Sequence, residues 1–150
     1  MSHSYSSLRV HIVFSTKGRR RLLSADVQPK LWAYMAGIAR NHKFDAVQIG
    51  GVEDHCHGLI LLPPTIPLAK AVQTIKACSS KWLNETGAAG ANFAWQEGYG
   101  AFSVSASQTD GVVEYIRHQV EHHRKRNYDE EFLELLRRHG VNYDPSDALG

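Results

Sequence analysis

Cysteine is scarce in this chain. The two present, Cys56 and Cys78, sit in apolar surroundings and form no Cys-x-x-Cys spacing, which fits a reduced, cytoplasmic protein. No apolar run approaches the length of a membrane span, so no membrane partner is expected. Met1 to Ser7 is polar and lacks a signal-peptide core. There is no internal repeat and no low-complexity tract. An excess of one charge is missing as well: the formal net charge is +2, too small to announce a nucleic-acid partner by itself. What remains is an ordinary globular balance, 43% hydrophobic and 21% charged over 150 residues. That length suggests one domain, 1–150, able to bury a core without disulfide staples, with 127–150 read as a C-terminal extension.

The positive residues are few but grouped. Lys17, Arg19, Arg20 and Arg21 stand together, and Arg117, Arg124, Lys125, Arg126, Arg137 and Arg138 lie along the C-terminal third. Grouped cations can follow a phosphate backbone even at low net charge, and they can equally be a solvated face.

Hydrophobic periodicity sets out the elements. Arg9 to Phe14 is apolar and β-branched and reads as a first strand. Ser24 can cap a helix from about Ala25 to Asn41, with Val27, Leu31, Tyr34, Met35 and Ile38 on its apolar side. Phe44 to Val52 and His55 to Leu62 read as strands joined by the Glu53-Asp54 turn. Pro67 opens a second helix carrying Leu68, Val72, Ile75 and Trp82. Phe93 to Gln96 and Ala101 to Ser107 read as further strands. Asp110 can cap a third helix running to about Arg126, on which Val112, Val113, Ile116 and Val120 serve as anchors, and Asp129 to Arg138 is a last short helix stopped by Gly140. The tail from Asn142 reads as loosely held. A hairpin between two helical crossovers is the split β-α-β pattern. The expected fold class is therefore α+β: a ferredoxin- or RRM-like antiparallel sheet with helices mainly on one face, plus a C-terminal tyrosine-bearing helix. Such a sheet leaves its other face for a ligand.

Histidine is the unusual count, at nine. His55 and His57 flank Cys56 on a predicted strand, where positions i and i+2 share a face. Both imidazoles can reach one metal ion while Cys56 turns to the core, or they are two unrelated surface histidines. Tyr115 and Gln119 are four residues apart and share one helical face. A tyrosine hydroxyl is a poor nucleophile, and a cation at the reacting phosphate can compensate by withdrawing charge. Gln119 can add an amide oxygen to that cation. His122 and His123 follow. His123 lies on roughly the same face, as a hydrogen-bonding partner to the site, a phosphate contact, or a cation at a helix C-terminus. Among the other tyrosines, Tyr34 reads as core, Tyr99 lies in a glycine turn, and Tyr5, Tyr128 and Tyr143 lie in or beside polar segments without a companion ligand.

These residues resemble the HUH-type single-tyrosine transposases of bacterial insertion sequences and their relatives at repetitive extragenic palindromes (REP). The resemblance is carried by His11-Ile-Val-Phe-Ser-Thr-Lys17, Asp54-His-Cys-His57, Ser80-Lys-Trp82, Trp95-Gln-Glu-Gly-Tyr-Gly-Ala-Phe-Ser-Val104, and Tyr115-Ile-Arg-His-Gln119 with His122-His123. It extends from about Tyr5 to Tyr143, with cysteine as the middle residue of the histidine pair. It implies that His55, His57 and Gln119 hold one divalent ion, Mg²⁺ or Mn²⁺, and that Tyr115 attacks single-stranded DNA to give a 5′-phosphotyrosine link and a free 3′-OH. It also implies recognition of hairpin DNA and a homodimer in the bacterial cytoplasm. Lys17, Arg19, Arg20, Arg21 and Arg124 are the candidate DNA contacts. The rival readings are a domesticated endonuclease at genomic palindromes, a nickase with the same histidine pair, and a nonenzymatic RRM-like nucleic-acid binder.

Overall fold

The computed structural model describes residues 3–148. The elements follow the order β1 (Arg9–Ser15), α1 (Gln28–Asn41), β2 (Asp45–Gly51), β3 (His55–Leu61), α2 (Leu68–Thr86), β4 (Gly100–Val104), α3 (Thr109–Arg117), α4 (Gln119–His122), α5 (Tyr128–Arg138) and α6 (Pro145–Ala148). The sheet has four strands in the order β2-β3-β1-β4, with every neighbouring pair antiparallel. This is the split β-α-β arrangement that the strand and helix order predicts.

Strand alternation divides the sheet into two unlike faces. Ile12, Phe14, Ile49, Cys56 and Ile60 turn toward α1 and α2 and form the main core with Leu31, Met35, Val72, Ile75 and Leu83. The opposite face carries His11, Val13, Ser15, His55, His57 and Leu59, all buried. Three short helices lie over it. Ile116, Val112 and Val113 of α3 pack on Leu59 and Val104. Tyr128, Phe132, Leu135 and Leu136 of α5 pack on Val13 and Phe102. The face expected to stay available for a ligand is thus only partly open. No helix among the described residues is long and apolar enough to cross a membrane.

Several local expectations shift. Helix α5 begins at Tyr128 rather than Asp129, and Asn127 caps it through a reciprocal capping box with Glu130. Neither Ser24 nor Asp110 caps a helix: α1 starts after Val27, and α3 starts with Thr109. Phe93 to Gln96 makes only an isolated bridge, Thr16 with Trp95, because β4 already occupies the β1 edge from Arg9 to Val13. The third helix breaks at His118, whose ring nitrogen bonds the Glu114 carbonyl at 2.7 Å. The break turns Gln119 inward, to 1% exposure, and leaves Val120 exposed at 52% rather than anchoring the helix. Tyr34 is not core. It stacks on Trp82 at 4.8 Å on the surface, with 39% exposure.

One row across the sheet sets how closely the helices approach. Gly50 pairs with His57, His57 with Val13, and Val13 with Gly100. A Cβ at Gly50 would lie 2.5 Å from the Ile116 carbonyl oxygen of α3, and one at Gly100 would lie 2.6 Å from the Phe132 ring of α5. Both helices therefore rest on bare backbone. Because the obstruction at Gly50 is main chain, Gly50→Ala must lift α3. We expect a loss of about 1–3 kcal/mol in urea unfolding, the usual penalty of overpacking. An unchanged unfolding midpoint would contradict this seating.

Candidate active site

β3 presents His55 and His57 to the same face, with Cys56 in the core behind them at 1% exposure, as the strand period requires. Burial pushes the Cys56 thiol up, which leaves it unreactive. The far nitrogen of each imidazole is tied. His55 Nδ1 lies 2.7 Å from Asp54 Oδ1, and His57 Nδ1 lies 2.8 Å from His11 Nε2 on the neighbouring strand. Both Nε2 atoms are thereby aimed away from the sheet, into the space beneath α4 and α5.

Glu131 of α5 fills that space. Its Oε1 lies 2.9 Å from His57 Nε2, 3.1 Å from His123 Nε2 and 3.3 Å from His55 Nε2. Its other oxygen, Oε2, accepts a hydrogen bond from the Tyr115 hydroxyl. Gln119 Oε1 lies 3.1 Å from His123 Nε2 and 3.3 Å from His55 Nε2. One ligand atom from each of His55, His57, His123 and Glu131 lies within 4.8 Å of all the others. Three imidazole nitrogens and a carboxylate oxygen, with orienting partners behind two of the histidines, could hold a metal ion.

The charges follow from burial and pairing. Burial, together with the charge of His57, lowers His11 to about 3, so it is neutral. Burial also lowers His57. For His55, burial would lower the pKa, but hydrogen bonds to Asp54 and Glu131 and the charges of both outweigh it and raise it to about 9. Burial would raise Glu131, but the charge of His57 and hydrogen bonds from His123, His55 and His57 outweigh it and hold it far below the usual carboxylate range. Burial, then the charge and hydrogen bond of Glu131, pushes the Tyr115 phenol up.

With this centre in view, the comparisons decide the family. A family model described as transposase, IS200 like, matches residues 4–119. The chain belongs to the IS200-like transposases. Two solved structures share the fold. One is a protein of Deinococcus radiodurans R1 assigned as a transposase: 21% identity, TM-score 0.62, covering 79% of this chain and 96% of that one. The other is a REP-associated tyrosine transposase bound to a REP hairpin: 18% identity, TM-score 0.56, covering 81% of this chain and 74% of that one. No curated protein matches the sequence.

The predicted site residues of this transposase fall into three groups. His55, His57, Gln119, Tyr115 and His123 converge, all within one chain. The His122 ring lies 4.7 Å from the Tyr115 ring, tilted by 30° to it. The cations disperse: Lys17, Arg20 and Arg124 are exposed, and Arg21 reaches Glu53 at 3.3 Å. Arg19 turns inward to pair with Asp129, 5.3 Å from the Tyr128 ring. Tyr128, read as lying in or beside a polar segment, is buried at 2%, with its hydroxyl donating to Gln96 Oε1 at 3.1 Å. Sequence reasoning passed over Glu131, His11 and Asp54 as members of the site. Glu131 was detectable as the one acid inside the apolar stripe Tyr128, Phe132, Leu135 and Leu136, and His11 as the one imidazole in an otherwise apolar strand.

The shift of His55 makes a pH prediction for the chelator-treated protein. A histidine raised from 6.5 to about 9 contributes stability that is fully present below pH 6.5 and lost as pH rises through about 9. Urea unfolding should therefore show stability falling over that interval, by roughly 3 kcal/mol if His55 acts alone. Asp54→Asn should flatten the slope. A wild-type profile that is level from pH 6.5 to 9.5 would contradict the assignment.

Proposed function

We propose that this transposase cleaves and rejoins single-stranded DNA with Tyr115 as the nucleophile, at a divalent ion, Mg²⁺ or Mn²⁺, held by His55 and His57 with Gln119 and His123 beside them. The observation that carries the reading is the shared carboxylate: the Tyr115 hydroxyl and the Nε2 atoms of His55 and His57 all reach Glu131. A phosphodiester placed there would meet nucleophile and ligands together. When bound, the ion draws negative charge from the phosphate oxygens and so favours attack by an anionic or hydrogen-bonded phenol.

The chain's own residues account for the rest. Tyr115 is held at a defined spot by Glu131 and by Arg126, whose Nη2 donates to the phenolic oxygen at 3.2 Å. The Tyr115 oxygen forms a bond to phosphorus, the bond from phosphorus to the 3′ oxygen breaks, and the proton finishes on the released 3′-OH. The product is a 5′-phosphotyrosine link. Attack on that link by another 3′-OH reverses the step without an external energy source. A cleft of about 480 Å³ beside Tyr115, lined by His11, Ser103, Gln108, Arg138 and His139, offers a path for the strand. The hairpin bound by the REP-associated neighbour supports hairpin DNA as the partner. A homodimer in the cytoplasm belongs to the same reading. The segment 127–150, beyond the family match, is a C-terminal extension of the single domain.

Tyr115→Phe should fold and bind DNA normally but form no covalent adduct when incubated with single-stranded hairpin DNA and Mn²⁺. Denaturing electrophoresis with peptide mapping checks this, and an adduct on Tyr128 or one that survives the substitution would overturn the mechanism. His57→Ala should abolish cleavage with its fold intact.

Hairpin affinity should fall steeply between 50 and 200 mM salt, about 10³-fold or more if six phosphates are contacted. Reversing Lys17, Arg20 and Arg21 should reduce that slope in a binding titration. A slope unchanged by the reversal would remove this patch from the interface.

A further inference from the structure

The proposed ligands His55, His57, His123 and Gln119 share a property that matters for a dication: as ligands, all are neutral. Imidazole must give up its proton to bind a metal, and the amide has no charge to give. A doubly charged ion in a buried site needs a compensating anion nearby. Asp54 lies behind His55, on Nδ1, and its side chain is 23% exposed. Glu131 lies in front, with its side chain 0% exposed and Oε1 within 3.3 Å of three Nε2 atoms.

Its placement is firmly built. The capping box fixes the first turn of α5, and the apolar residues on either side of Glu131 seat the helix on Val13 and Phe102. Gly100 removes the side chain that would hold Phe132 off the sheet. An acid in the middle of such a stripe opposes the packing around it unless it has a partner of opposite charge. The family match ends at residue 119, so α5 lies wholly outside it.

We propose that Glu131 is the anionic ligand of the divalent ion and at the same time the positioning residue for Tyr115, one carboxylate oxygen facing the ion and the other holding the phenol. The inference rests on the ion-dependent reading given above. It makes α5 a working wall of the active site: the segment beyond the family match supplies the negative charge that His55, His57 and Gln119, which lie within the match, lack.

The test is Mn²⁺ binding by isothermal titration calorimetry on the full chain, with the Mn²⁺-dependent rise in Tm as a second readout. Glu131→Gln keeps shape and hydrogen bonding but not charge, and should weaken binding roughly tenfold to hundredfold. Glu131→Asp keeps the charge on a shorter arm and should recover part of the loss. Should Glu131→Gln fail to fold, Glu131→Met continues the apolar stripe and carries the same expectation. Wild-type Mn²⁺ affinity in Glu131→Gln or Glu131→Met would overturn the inference. His57→Ala, titrated in parallel, separates the two levels. Binding lost in His57→Ala but kept in Glu131→Gln refutes only the role of Glu131. Binding kept in both refutes the ion site and this inference with it.

Discussion

The second face of the sheet is organised around one buried negative charge. Taking a carboxylate out of water costs several kcal/mol unless charge and hydrogen bonds replace the lost solvent. Around Glu131 that replacement comes from His57, His123, His55 and the Tyr115 hydroxyl. These groups belong to β3, the turn after α4, and α3, and Glu131 itself belongs to α5. No single element could satisfy the carboxylate, so its burial requires all of them to be in place. The break at His118 fits this requirement, because it separates Tyr115 and Gln119 into two short helices that both turn inward.

The orientation of the imidazoles depends on a layer behind them. Asp54 fixes His55 and His11 fixes His57 through the nitrogen that faces away from the centre. These two anchors differ in kind. A carboxylate can only accept, so it commits His55 Nδ1 to carry a proton. His57 is committed the other way: its Nε2 faces the ionised Glu131 carboxylate at 2.9 Å and carries the proton there, so its Nδ1 accepts from His11 Nε2. The two histidines of one motif are thus held equally in space but not in protonation.

Much of this was legible in the sequence. The period of two on β3 predicts that His55 and His57 share a face with Cys56 behind, and the four-residue spacing predicts that Tyr115 and Gln119 lie together. The hairpin between two helical crossovers predicts the sheet, with one strand too many at Phe93 to Gln96. What escaped was decided by tertiary contact. Glu131 stands out in sequence as an acid within the apolar stripe of α5, but its partners on β3 are set by the docking of α5 over His57. Arg19 belongs to a basic run in sequence, yet Asp129 and Tyr128 draw it inward. Phe93 to Gln96 has strand composition, but the edge it would join is already taken. The Tyr128 hydroxyl has a buried partner 32 residues away in sequence, which no local pattern announces.

The row Gly50, His57, Val13, Gly100 gives the sheet the character of a ruler. Strands lie about 4.8 Å apart, so the seats of α3 and α5 are separated by roughly 14 Å of backbone, more than the 8–10 Å between helices packed on each other. The spacing of the two helices is therefore set by strand count and not by contact between them. Their apolar contacts accordingly fall into separate clusters, one with Ile116 and one with Phe132. Packing changes under one helix should leave the other undisturbed, with energies that simply add. The polar centre, where Tyr115 meets Glu131, makes the two halves answer to each other.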